Sequence, residues 1–311
     1  MSAKALRAPF PYFGGKRDVA SLIWERLGLV RQYIEPFCGS AAVLLAAPRP
    51  ASLEVVGDMN GFLANFWRAT KFQPAEVALE ADYPVSHIDL GARHVWLMGQ
   101  RDRLGAELQD PLWPGDARVA GWWLWGQCCW IGSGWCEWLG KVPHAGNAGM
   151  GVQALGKVPH AGNAGRGDLL TSSGRTAWRW LHELAERLER VRVVHGAWDR
   201  CLNNHYGAES TAVFLDPPYR AYESLYGASG QETPVADQVE TWACENPQLR
   251  VAVCGHLGDY PSLDAAGFEA VPWTRKRLTY SGSQTTDKEA IWFSPACLTV
   301  TIRKQMEMFG A

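Results

Sequence analysis

The chain lacks the features that mark a membrane or secreted protein. No run of about 18 apolar residues and no charged-then-apolar leader occurs in its 311 residues, so neither a spanning helix nor export is expected. A cytoplasmic setting, prokaryotic or phage-encoded, follows as the expectation. Eight cysteines include no Cys-x-x-Cys pair. Cys128, Cys129 and Cys136, with His144 and His160 downstream, also miss the usual spacing of a tetrahedral zinc site, so no metal is expected and the thiols read as reduced, buried small hydrophobes. There is no basic excess either: a formal net charge of −2 excludes a uniformly basic nucleic-acid binder, though not a local basic face. Arg101 with Arg103, the group Arg166, Arg175 and Arg179, and Arg275-Lys276-Arg277 are the candidates for such a face. What the chain has in excess is tryptophan, sixteen residues, most of them between Trp96 and Trp180.

The stretch Phe214-Leu215-Asp216-Pro217-Pro218-Tyr219 organises the rest. Thr211 to Leu215 reads as a buried strand, and the prolines stop its pairing, which puts Asp216 to Tyr219 at the carboxyl end of a strand. Open α/β sheets bind ligands at that edge. An acid, a proline carbonyl and an aromatic suit alkylation of an exocyclic amino group, whose lone pair is delocalised into its ring. If Asp216 and the Pro217 carbonyl each accept one N–H, the nitrogen is drawn towards tetrahedral geometry and its lone pair is freed. Tyr219 would stack on the base, an interaction worth roughly 1–3 kcal/mol, with Pro218 completing the turn.

Together with Pro11-Tyr12-Phe13-Gly14-Gly15-Lys16 near the amino terminus, this motif resembles the Dam-type (D12 class) S-adenosylmethionine-dependent DNA adenine-N6 methyltransferases. The resemblance runs collinearly over nearly the whole chain. It implies an α/β fold, a class I methyltransferase with a Rossmann-like mixed sheet, and an inserted, mainly helical target-recognition lobe. The catalytic domain would comprise residues 1–65 and 190–311, and the lobe residues 66–189. S-adenosylmethionine would be the cofactor, S-adenosylhomocysteine its product, and double-stranded DNA the partner, with no obligate protein partner evident.

The resemblance also assigns cofactor residues. Tyr12, Gly14, Gly15 and Lys16 would pack over the methionine part of the cofactor, the lysine approaching the active site. Tyr33 to Ala42 reads as strand, tight turn and helix start, with Glu35, Pro36, Phe37, Gly39 and Ser40 at the turn and Ala41 where the family often has a second glycine. Leu53 to Asp58 is a second strand ending in an acid. Asp58, followed by Asn60, would accept from the ribose hydroxyls; the alternative is that Asp58 caps the helix from Phe62 to Thr70. Val191 to His195 is a further strand, after which Trp198 and Asp199 would flank the cofactor's adenine. Here the alternative is a buried tryptophan and a capping acid. Asp216 is shared by both halves of the site.

Between them, residues 66 to 120 read as helices broken at Pro74, Pro84, Pro111 and Pro114. Trp122 to Ile131 is too aromatic for a surface and is expected inside a helical lobe. Gly132 to Trp138 is similar to the hairpin that the family inserts into the DNA major groove, with Ser133-Gly134 and Glu137 where relatives commonly carry Asn-Gly and Arg. Target sequence is therefore not transferable. Leu139 to Gly149 recurs unchanged as Leu155 to Gly165, a loop whose Lys141 and Lys157 are candidates for the DNA backbone. Thr176 to Arg190 is an amphipathic helix with Trp180, Leu181, Leu184 and Leu188 on one face.

Ala221 to Val235 reads as a lid, Arg250 to Cys254 as a strand with His256, given no role, at its end. Val271 to Leu278 and Glu289 to Phe293 read as antiparallel strands, the first bringing Arg275, Lys276 and Arg277 to DNA. Methylation of cytosine N4 or RNA adenine, and a catalytically inactive DNA-binding relative, remain the alternatives. A glutamine-modifying enzyme would carry Asn in place of Asp216, and a nicotinamide-dependent oxidoreductase is the third class.

Overall fold

The computed structural model describes residues 6–10, 12, 15–84, 86–130, 135–136, 177–202, 207, 210–220, 233–274 and 288–299. Gly14, the Ser133-Gly134 and Glu137 positions, both copies of the repeat with Lys141 and Lys157, most of the expected lid, and Arg275 to Arg277 lie outside the described residues. The chain divides into two compact units, the first made of Met1–Gly15, Gly39–Leu45 and Gly57–Arg200, the second of Lys16–Cys38, Ala46–Val56 and Cys201–Ala311.

The described residues form a mixed α/β protein whose seven strands follow the order β3-β2-β1-β4-β5-β7-β6. The strands are β1 (Gln32–Glu35), β2 (Leu53–Asp58), β3 (Val191–His195), β4 (Thr211–Leu215), β5 (Arg250–His256), β6 (Glu269–Thr274) and β7 (Lys288–Phe293). β1 pairs in parallel with β2 and β4, and β4 with β5; β7 runs antiparallel to β5 and β6. β4 is buried along its whole length, as its unbroken apolar sequence requires of a central parallel strand. Chain order reverses between β1 and β4, so the switch point of the sheet lies at the carboxyl ends of the two strands that precede the Gly39 turn and Asp216.

In the second unit helix α1 (Ala20–Leu27) precedes β1, and α9 (Val235–Glu245) and α10 (Pro261–Ala265) flank β5. The first unit carries α2 (Ala42–Leu45), α3 (Gly61–Phe72), α4 (Pro74–Ala81), α5 (His87–Met98), α6 (Arg101–Glu107), α7 (Ala117–Cys129) and α8 (Ala177–Leu188). Pro74 starts α4 at a position where its missing N–H costs nothing. α8 buries Trp180, Leu181, Leu184 and Leu188, the stripe read from its periodicity.

The tryptophan-rich run is α7, with Trp123, Trp125, Cys128 and Cys129 all buried. Gly126 lets the helix abut the ring of Trp135, since a Cβ there would lie 1.8 Å from it. These rings are core. Phe10 extends the same cluster, its ring 5.2 Å from Phe66 and 5.0 Å from Trp123, both in edge-on geometry. Among the described residues no helix is long and apolar enough to cross a membrane.

Candidate active site

Asp216 follows the last residue of β4, where the ladder ends and the chain turns through the buried Pro217. Lys16 reaches it. The lysine Nζ lies 2.8 Å from Oδ1 and 2.8 Å from Oδ2 of Asp216, with side-chain exposures of 4% and 19%. Burial alone would depress the Lys16 pKa, but the Asp216 charge, with help from Glu289, outweighs it and raises the value, so the ammonium is retained. A carboxylate has about four lone-pair directions, so pairing with Lys16 does not exhaust its capacity to accept.

Tyr219 stands between three partners. Its hydroxyl donates to Glu289 Oε2 at 3.1 Å, the Lys16 ammonium lies 5.2 Å from its ring centre, and the His256 ring meets it edge-on at 4.6 Å. Burial, then the negative charges of Asp216 and Glu289, push the tyrosine hydroxyl well up, so it stays protonated and can donate at neutral pH. The next residue, Arg220, fastens the turn to α9 by ion pairs with Asp237 and with Glu240, the latter at 2.6 Å. Cys254 on β5 is fully buried and its thiol is raised well above the ordinary range by burial, which excludes it as a thiolate nucleophile.

The first unit holds the turns expected to bind the cofactor. Gly39 has φ +45°, its N–H donates to Asp58 Oδ2 at 3.1 Å, and its carbonyl accepts from Trp67 Nε1 at 2.9 Å. A Cβ at Gly39 would lie 2.5 Å from the Tyr12 ring, so glycine is required by both conformation and space. Ala41 takes φ +49° without being glycine, at a cost of roughly 1–2 kcal/mol. The departure from a second glycine thus leaves the turn closed but strained.

Asp58 receives N–H bonds from Gly39 and from Asn60, the latter to Oδ1 at 2.9 Å. Burial outweighs the opposing N–H bonds from Asn60, Gly39 and Met59 and leaves its pKa pushed up to about 6. Asp58 does not cap the following helix. Asn60 does, its Oδ1 accepting from Phe62 at 3.0 Å and Leu63 at 3.3 Å, so that oxygen is committed to α3.

Of the other expected residues, Glu35 is buried on β1 and accepts from the Tyr33 hydroxyl at 3.0 Å. Pro36 is buried, and Phe37 and Ser40 are half-buried. Gly15 lies beside Ser40, its notional Cβ 3.4 Å from the hydroxyl oxygen. Trp198 is buried at the start of a 3-10 turn and Asp199 is exposed. Three candidates for a basic face have internal partners: Arg103 pairs with Glu107 and Asp116, Arg179 with Glu183, and Arg101 donates to the Cys136 carbonyl.

Sequence reasoning missed Glu289 and Arg220 and gave His256 no role; all three meet the motif only through the fold. It also missed Met59, 63% exposed beside the half-buried acid. An apolar residue exposed between Asp58 and Asn60 was the available signal.

Residues 12–82 match the family model of the D12 class N6 adenine-specific DNA methyltransferase. The match covers the Tyr12 loop, the Gly39 turn and the Asp58 acid. The activity of that family is methylation of adenine N6 in DNA with S-adenosylmethionine as methyl donor. No curated protein matches the chain. For the D12 class the electrophile is a methyl carbon on sulfur, and the residues of the first unit fit its carrier. Asp58 is an acceptor with its own donors in place.

Proposed function

We propose that the chain methylates N6 of an adenine turned out of double-stranded DNA, with Asp216 and Pro217 gripping the amino group and Tyr219 stacking on the base. The observation that carries this reading is the pairing of Asp216 with a buried lysine at the carboxyl end of the central strand. Held by Lys16, the carboxylate accepts one N–H of the amine, and the Pro217 carbonyl accepts the other. The two acceptors remove the nitrogen lone pair from the ring, and positioning supplies the rest of the rate. Lys16 balances the Asp216 charge, and the carboxylate keeps lone pairs beyond those given to the ammonium to accept from the amine. Glu289 and His256 fix the Tyr219 ring for stacking. When bound, S-adenosylmethionine supplies the electrophilic methyl group.

Tyr12, Gly15, Gly39, Ser40, Asp58, Trp198 and Asp199 are the residues we assign to it, Asp58 to the ribose and Trp198 with Asp199 to the adenine. The helices from residue 66 to 189 form the target-recognition lobe, with Lys141, Lys157 and Arg275 to Arg277 assigned to DNA phosphates. The cell compartment is the cytoplasm.

Incubation with tritiated cofactor and duplex DNA, followed by nucleoside analysis, tests the reading. N6-methyladenine is expected. Label in N4-methylcytosine, or transfer to RNA but not to DNA, would overturn it.

A further inference from the structure

Behind the Asp58 turn lies a side-chain network that neither the motif nor the family match accounts for. At the end of β3, His195 places Nε2 at 3.2 Å from the Met59 carbonyl oxygen. Its Nδ1 faces Gln109 Nε2 at 3.5 Å, and Gln109 Oε1 accepts from Arg200 Nη1 at 2.8 Å. Arg200 Nη1 also donates to the His195 carbonyl at 2.7 Å.

The partners assign the tautomer. A guanidinium only donates, so the Gln109 oxygen must face Arg200 and its NH2 must face Nδ1 of His195. A carbonyl only accepts, so Nε2 must carry the proton. The ring is therefore neutral, with Nε2–H donating to Met59 and Nδ1 accepting.

The target of that donation matters. The Met59 carbonyl belongs to the same peptide group as the Asn60 N–H, and this N–H donates to Asp58 Oδ1 at 2.9 Å. The peptide group is planar and trans, so its C=O and N–H point in opposite directions and orienting one orients the other. A bond from His195 to the oxygen thus aims the N–H that holds the carboxylate.

We propose that His195 is a positioning residue for cofactor binding, which through the Met59–Asn60 peptide sets the Asp58 carboxylate for the ribose hydroxyls. The inference rests on the reading of Asp58 as the ribose acid. Gln109 and Arg200 select the tautomer that makes the bond, and the same Arg200 packs over Gly196, where a Cβ would lie 2.7 Å from its Nη1. The network therefore braces the turn that leads to Trp198 as well. His195 touches neither base nor cofactor in this scheme.

The test is the affinity for S-adenosylhomocysteine, by calorimetry, of the full-length protein and of His195→Ala, His195→Asn and His195→Gln. Gln can place its NH2 near the position of Nε2, whereas Asn reaches only as far as Nδ1. Binding weaker by roughly three- to tenfold is expected for Ala and Asn, and near-normal binding for Gln, the range following from one hydrogen bond. In turnover assays the loss falls on KM for the cofactor more than on kcat. A uniform loss of folding would lower all three variants together, so rescue by Gln but not by Asn separates positioning from general packing. If Ala binds as tightly as the unaltered protein, or if Gln is no better than Asn, the inference fails. If the unaltered protein does not bind S-adenosylhomocysteine, the cofactor reading itself fails first, and this inference falls with it.

Discussion

The residues after β4 are held by side-chain charge, whereas those after β1 and β2 are held by backbone amides and close packing. Asp216 meets a buried ammonium and Tyr219 a buried carboxylate, so the second unit fixes its chemistry with an ion pair and a charged hydrogen bond. Asp58 meets the N–H groups of Gly39 and Asn60, and Gly39 meets a tyrosine ring, so the first unit holds its carboxylate with backbone N–H groups and its glycine turn with close packing. The first arrangement breaks when one side chain is removed. The second breaks when the backbone is asked to take a different path. Mutations should therefore divide into those that abolish chemistry and those that loosen the cofactor.

Asp216→Ala should have the largest effect. Loss of one of two acceptors is expected to lower methyl transfer by about two to three orders of magnitude. Titration with S-adenosylhomocysteine should show affinity little altered, and a parallel loss of binding would erase the distinction between the two regions. Lys16→Met leaves Asp216 without its cation. Since Asp216 retains 19% exposure, the cost in stability should be about 2–3 kcal/mol, below that of a fully enclosed pair. Denaturant unfolding measures it, and an unchanged midpoint would show that the ion pair does not hold the motif.

Gly39→Ala sharpens the other side. The new methyl meets Tyr12 and the backbone stays at positive φ, so stability should fall by about 1–3 kcal/mol. Cofactor affinity should fall with it, while kcat at saturation should hold.

The Asp58 acid gives a pH dependence with a defined sign. Burial holds its pKa up at about 6, and ribose hydroxyls donate more strongly to the ionised form, so binding favours loss of the proton. Affinity should be flat above neutrality and decline as pH falls through about 6. Affinity that rises on acidification would contradict the assignment of Asp58. Smallest of all should be Ala41→Gly. Relief of the left-handed strain opposes the loss of a buried methyl and the added chain entropy, so the net change should lie within about 1 kcal/mol of zero.

Legibility followed the range of the interaction. The stripe on α8 was readable because the helical period places Trp180, Leu181, Leu184 and Leu188 together without help from the rest of the fold. The strand ending at Asp216 was readable because an apolar run stopped by prolines has few other solutions. The cap on α3 was left open as an alternative role for Asp58 and belongs to Asn60, since both acids and amides cap helices and two residues separate them. Arg101 and Arg103 looked like a basic face until Glu107, Asp116 and the Cys136 carbonyl took them up. Glu289 and His256 carry no local mark, because their importance comes from the antiparallel pairing that brings β7 beside β5, with Glu289 opposite His256.

What the amino-acid order determined by itself was the chemistry: an acid, a proline carbonyl and an aromatic at the end of one strand, a glycine turn after another, and an acid after a third. Each is specified by a few adjacent residues whose backbone limits do not depend on distant partners. Only the tertiary structure decided which groups hold those residues at work. Lys16 reaches Asp216, Glu289 receives the Tyr219 hydroxyl, and His195 aims a peptide at Asp58. Such pairings depend on strand order and register, which arise from burial of the whole sheet and not from any short segment.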